Sequence, residues 1–164
     1  MQFENEVNPR IHYEVTSKEI LKDFFAGFDY IITGIGTGGH ISSVEKRLKG
    51  INKNTQVYGV EPEASAVLSG GEPGSHPIQG IGAGFAPKTL NMKIIDKIIR
   101  VSGSEAFEMA RALATQEGVL AGISTGASIA AISKTIGSIE KGKSILTFAY
   151  DTGERYLSVE GLWG

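Results

Sequence analysis

Apolar positions along this chain alternate between short blocks and spacings of three and four, and their order predicts its elements. Phe28 to Ile32 reads as a buried strand, and Gln56 to Val60 reads as the next. Between them Ile41, Val44 and Leu48 fall on one face of a helix, with Gly50 placed to stop it. A strand, a helix and a strand in so short a span predict a βαβ unit with a right-handed crossover. Glu63 to Leu68 reads as a short helix, and Ile94 to Val101 and Lys143 to Tyr150 as two further strands. Two helices separate those strands. Phe107, Ala110, Leu113 and Ala114 mark the first, behind the capping box Ser102-Gly103-Ser104-Glu105, and Ile129, Ile132, Ser133 and Ile136 mark the second. Residues 1–15 read as irregular, and Thr16-Ser17-Lys18-Glu19 fits a capping box ahead of Ile20, Leu21 and Phe24. Alternating strands and helices predict an α/β fold, an open and mostly parallel sheet flanked by helices, in a single domain over residues 1–164.

Composition changes this picture through its 22 glycines, which cluster. Gly34, Gly36, Gly38 and Gly39 stand between the first strand and the helix that starts near His40. Backbone in such a turn approaches a ligand closely, and the helix start offers free N–H groups and the positive end of its dipole. The stretch is a candidate phosphate cradle, with a tight turn and no ligand as the plain alternative. Ser69 to Pro87 is glycine-rich without periodicity, a length at which loops are usually functional. Gly122-Ile123-Ser124-Thr125-Gly126 forms a second glycine turn, and Asp151-Thr152-Gly153 follows the last strand. Ligands of parallel sheets sit beyond the carboxyl ends of the strands, so these turns are expected to share one rim.

Charge and residue usage exclude several classes. Sixteen basic and eighteen acidic residues are scattered, which leaves no footprint for nucleic acid. The absence of cysteine excludes disulfides and thiol catalysis, and His12, His40 and His76 have no metal-ligand spacing. No apolar run approaches the length of a membrane span, and the polar start from Gln2 is unlike a signal peptide. A cytoplasmic protein is the expectation.

Three motif readings compete. Gly34-x-Gly36-x-x-Gly39 with Glu61 after the next strand matches a nicotinamide-dinucleotide fingerprint, but leaves the second glycine turn without a role. Gly122-x-Ser124-x-Gly126 matches a hydrolase nucleophile elbow, yet every histidine lies upstream of the serine; Ser124 as a turn residue or helix cap is the plain alternative. The third reading uses all the features in order. Gly34 to Val44, Val60-Glu61-Pro62, Ile78 to Phe85, Glu117-Gly118, Gly122 to Ala127 and Asp151 to Ser158 together resemble the cysteine synthase (O-acetylserine sulfhydrylase) and cystathionine β-synthase family of fold-type II pyridoxal-phosphate enzymes.

The resemblance covers essentially the whole chain and implies the larger, C-terminal domain of the tryptophan synthase β-like fold. It implies that Gly36, Thr37, Gly38 and Gly39 bind the phosphate of pyridoxal 5'-phosphate. His40 stands where the family commonly has a second threonine, as a further donor whose charge would follow pH or as an ordinary helix-start residue. Ser124 matches the serine that meets the pyridine nitrogen. Gly80 and Ile81 match the loop at the substrate entrance, and Gln2 matches a glutamine that helps bind the substrate carboxylate. The family's Schiff-base lysine lies in a smaller N-terminal half, so no catalytic lysine is assigned here, and the chain corresponds to the C-terminal half of an enzyme about twice its length. The implied activity of the complete enzyme is replacement of the acetate of O-acetyl-L-serine by sulfide to give L-cysteine. Cystathionine- or lanthionine-forming and cysteine-desulfurising variants, or a non-catalytic phosphate- or nicotinamide-binding domain, are the alternatives. A homodimer and the C-terminal tail of serine acetyltransferase are the implied partners.

Overall fold

The computed structural model describes residues 1–163. The segment expected to be irregular is helical: α1 (Val7–Ile11), a π-helical stretch His12–Thr16 and α2 (Ser17–Asp23) follow one another without a break. Thr16 caps nothing, because its backbone is helical and its hydroxyl meets His12 Nδ1 at 3.1 Å. Tertiary contact decides the matter: Arg47 donates from Nε to the Tyr13 carbonyl at 3.0 Å and lays its guanidinium 4.1 Å from the Tyr13 ring centre.

β1 (Tyr30–Gly34) leads through α3 (Gly39–Ile51) to β2 (Gln56–Pro62), and β3 (Lys97–Val101) through α4 (Gly103–Gln116) and α5 (Ile123–Thr135) to β4 (Ile145–Leu146). Gly50 does not stop α3, which ends at the extended Asn52. Glu63 to Leu68 forms two 3-10 turns instead of one helix. The sheet is parallel throughout, in the order β3-β2-β1-β4, which is the expected α/β architecture. The chain moves outward from β1 to β3 and then returns to pair β4 on the other side of β1. That reversal is a topological switch point, and it opens a crevice beyond the carboxyl ends of β1 and β4. Among the described residues, no helix is long and apolar enough to cross a membrane.

The sheet's period-two alternation builds a core on each face. Ile31 packs with Val57, Ile41, Val44 and Leu48 beneath α3, while Ile32 packs with Val60, Ile99, Ala110 and Ala127 beneath α4 and α5. α5 buries its expected face only in part, with Ile132 packed on the core and Ser133 exposed. Ile136 is exposed, and the buried side carries Gly126, Ala127, Ala130 and Ala131. Small residues there let α5 lie directly on α4, so close approach outweighs apolar size. β4 is far shorter than Lys143 to Tyr150, because the chain leaves the sheet after Leu146 and turns Phe148 and Tyr150 toward His40.

Glu45 on α3 is 1% exposed, and its Oε2 has no hydrogen-bond partner. Lys49 stands 3.9 Å from it but lies closer, at 3.1 Å, to Asp96. Burial, partly offset by Lys49 and reinforced by the Asp96 charge, pushes the Glu45 carboxyl up to about 7. The folded chain therefore holds this proton more tightly than the unfolded chain does. The resulting stability is complete below the usual carboxylate value near 4.5 and is lost as pH rises through about 7. Glu45→Gln is expected to exceed the parent chain in stability by about 2–3 kcal/mol near pH 8 and by under about 1 kcal/mol near pH 5, as read by urea unfolding.

Candidate cofactor site

The switch-point crevice is an open cleft. Gly36, Thr37, Gly38 and His40 form one wall, Gly80 and Ile81 another, and Ser124 the floor between them, with Tyr150 and Asp151 alongside. The turns expected to share one rim do so. A Cβ on Gly36 would stand 2.5 Å from the Gly80 carbonyl oxygen, so the two glycine stretches touch backbone to backbone. Gly38 takes the left-handed conformation, φ +78°, that starts α3. Among the described residues, the amides of Gly36, Thr37, Gly38, His40 and Ile41 have no acceptor, whereas Gly39 donates to Thr37 Oγ1 at 3.3 Å. Those free amides and the α3 dipole are the elements of an anion cradle. Gly39 itself does not line the cleft; its missing side chain makes room for Asn8.

Ser124 sits in the first turn of α5, after the extended Gly122. Its carbonyl accepts from Ser128 Oγ at 3.3 Å, and its hydroxyl reaches the cleft with no partner among the described residues. The Gly80 loop lies over it: a Cβ on Gly80 would be 3.6 Å from Ser124 Oγ. Gln2 lines an adjoining recess with Phe3, Thr37, Gly80, Ile81 and Ala83. That terminus is held in place, since the Phe3 carbonyl accepts the Thr89 amide at 3.3 Å and the Phe3 ring meets Phe85 edge-on at 5.1 Å.

His40 lies against the edge of Phe148 at 4.1 Å between ring centres and of His12 at 5.1 Å, with Nδ1 buried and unpartnered. Burial first, and the neighbouring His12 second, push its pKa down to about 4. In the chain by itself the ring is therefore neutral near pH 7. Tyr150 and Asp151 also line the cleft, and sequence reasoning assigned neither. Tyr150 was hidden inside an apolar block, and only the adjacent Asp151 turn marked its surroundings.

The two rival motifs lose their chemistry in this geometry. Glu61 is 1% exposed and accepts from the Leu68 amide at 2.8 Å, from the Ser69 amide at 3.1 Å and from the Ser69 hydroxyl. It is engaged within its own turn and is not free to meet a ribose. Ser124 Oγ, His40 Nδ1 and Asp151 Oδ1 share no hydrogen bond, so no nucleophile relay is formed.

A family model described as pyridoxal-phosphate dependent enzyme matches residues 1–151. The chain belongs to this family. A cysteine synthase of Staphylococcus aureus is 49% identical over 158 residues, which is 96% of this chain and 51% of that protein. Among solved structures, an O-acetylserine sulfhydrylase isoform of Entamoeba histolytica superposes with a TM-score of 0.91 at 41% identity, over 96% of this chain and 47% of its own. An O-acetylserine dependent cystathionine β-synthase of Helicobacter pylori gives 0.91 at 37%, over 96% and 51%. A hydrogen sulfide-producing enzyme of Fusobacterium nucleatum gives 0.89 at 42%, over 95% and 53%. The chain spans about half the length of the curated relatives it matches. Family membership gives the cleft its cofactor class, and the residues fit it: free amides for a phosphate at one end, an unpaired hydroxyl for a ring at the other.

Proposed function

We propose that this chain is the phosphate-gripping, C-terminal part of a cysteine synthase, which in complete form replaces the acetate of O-acetyl-L-serine by sulfide to give L-cysteine. The observation that carries the reading is the meeting of the free α3 amides and the Ser124 hydroxyl in one cleft. When bound, pyridoxal 5'-phosphate supplies the electron sink that lets acetate leave the β-carbon and sulfide replace it. The amides of Gly36, Thr37, Gly38 and His40, with the Thr37 hydroxyl, would hold the phosphate, and the Gly39 amide would keep Thr37 in place. His40 would add a ring N–H donor beside the phosphate. Ser124 would meet the ring nitrogen as a neutral hydroxyl, a weaker partner than a carboxylate and better suited to replacement than to transamination. Gln2, Gly80 and Ile81 line the recess proposed for the substrate carboxylate. The Schiff-base lysine belongs, in this proposal, to the other half of a cytoplasmic homodimeric enzyme able to receive a serine acetyltransferase tail. The names of the Helicobacter and Fusobacterium structures favour one second reading, a cystathionine-forming or sulfide-releasing replacement at the same site.

Calorimetric titration of the chain with pyridoxal 5'-phosphate, pyridoxal, inorganic phosphate and NAD tests the proposal. Pyridoxal 5'-phosphate is expected to bind at least about tenfold more tightly than pyridoxal, because the cradle acts only on the phosphate. Ser124→Ala is expected to weaken pyridoxal 5'-phosphate about fivefold, the value of one hydrogen bond, and to leave inorganic phosphate unchanged. Binding of NAD with no response to pyridoxal 5'-phosphate would overturn the reading.

A further inference from the structure

Tyr150 gathers more cleft-forming elements than any residue the cofactor reading employs. Its hydroxyl accepts from the Gly34 amide at 2.7 Å, meets Thr33 Oγ1 at 2.5 Å and meets Ser128 Oγ at 3.0 Å. Its own amide donates to Thr125 Oγ1 at 3.2 Å. Thr33 and Gly34 end β1 just before the cradle, while Thr125 and Ser128 follow Ser124 on α5. One donor order satisfies every contact: because Ser128 gives its hydroxyl proton to the Ser124 carbonyl, Tyr150 gives to Ser128, and the Gly34 amide and the Thr33 hydroxyl give to Tyr150. Two accepted bonds and one donated bond fill the capacity of a phenol hydroxyl.

We propose that Tyr150 is a positioning residue that sets the separation between the phosphate cradle and Ser124, so that one rigid ligand engages both ends. The inference rests on the cofactor reading and deepens it. A ligand held at two points gains from correct spacing, because the second contact forms without further loss of freedom. A ligand held only at the cradle gains nothing from that spacing. The sheet itself does not provide the connection: β4 pairs with β1 over two residues and ends at Leu146, so without the Tyr150 hydroxyl the segment before Asp151 would lack its tie to β1.

Tyr150→Phe keeps the ring and removes the links. Calorimetry on the full chain is expected to show pyridoxal 5'-phosphate weakened about fivefold, as by Ser124→Ala, and inorganic phosphate changed by less than about twofold. Ser124→Ala on the Tyr150→Phe background is expected to add almost nothing, because a misplaced Ser124 has little left to lose. Full additivity of the two changes, or equal weakening of both ligands, would overturn the inference and leave the cofactor reading in place. Failure of the parent chain to bind either ligand would overturn both. Should Tyr150→Phe not fold, Ser128→Ala cuts the same connection at one link, and the same split between the two ligands is expected of it.

Discussion

Gly36→Ala is expected to weaken binding of both inorganic phosphate and pyridoxal 5'-phosphate by about a hundredfold or more. The added methyl would lie 2.5 Å from the Gly80 carbonyl oxygen, well inside ordinary contact, and neither partner has a flexible side chain to yield. Gly80 holds its carbonyl from a left-handed backbone at φ +94°, and the loop is tied back by the Gly82 amide, which donates to the Ile35 carbonyl at 3.0 Å. The cradle must therefore shift by something near 1 Å. Its free amides then no longer converge on one point, and a displacement of that size commonly lowers function about a hundredfold. Calorimetry with each ligand measures the loss, and urea unfolding separates it from a change in stability. Unchanged affinity for inorganic phosphate in a folded Gly36→Ala chain would show that the anion sits elsewhere.

Gly126→Val is expected to destabilise the chain by about 3 kcal/mol or more. A side chain at Gly126 would run into the Ala106 carbonyl and stand 2.8 Å from the Ala110 amide, so both obstacles are backbone of α4. α4 and α5 would have to separate along a face of small residues. The lowered urea midpoint should come with weaker pyridoxal 5'-phosphate binding, because the first turn of α5 carries Ser124. A wild-type midpoint would mean that the helices part without loss, contrary to the packing described here.

The legible parts of this molecule are those set by local pattern. β2 and α4 lie where periodicity put them, and the Ser102 capping box forms with both of its bonds. The parts that misled are those in which a distant partner overrides a local preference. Residues 7–16 become helical against Arg47 and α3, ahead of the helix expected from Ser17; Lys143 to Tyr150 keeps only Ile145 and Leu146 as strand; and α5 buries glycine and alanine while leaving Ile136 exposed. In the site the same division holds. Gly36, Thr37, Gly38, Gly39, His40, Gly80, Ile81, Ser124 and Gln2 were all nominated from motif order; all but Gly39 line the cleft or its adjoining recess, and Gly39 borders Asn8 and donates to Thr37.

By itself the sequence determined that a glycine-rich turn and a helix start follow the first strand, that a second glycine turn carries Ser124, and that both stand at strand ends of a parallel sheet. Glycine spacing and period-two or helical repeats are local quantities, carried in a few neighbouring residues. Only the tertiary structure decided how the two ends of the cleft are held at one distance and that His40 is buried against Phe148 and His12. Those properties depend on burial and on hydrogen bonds between residues more than a hundred positions apart, as between Gly34 and Tyr150, or on which side chains a neighbour covers. No local pattern records them, because the energy involved arises only when the sheet brings the ends of β1 and β4 together.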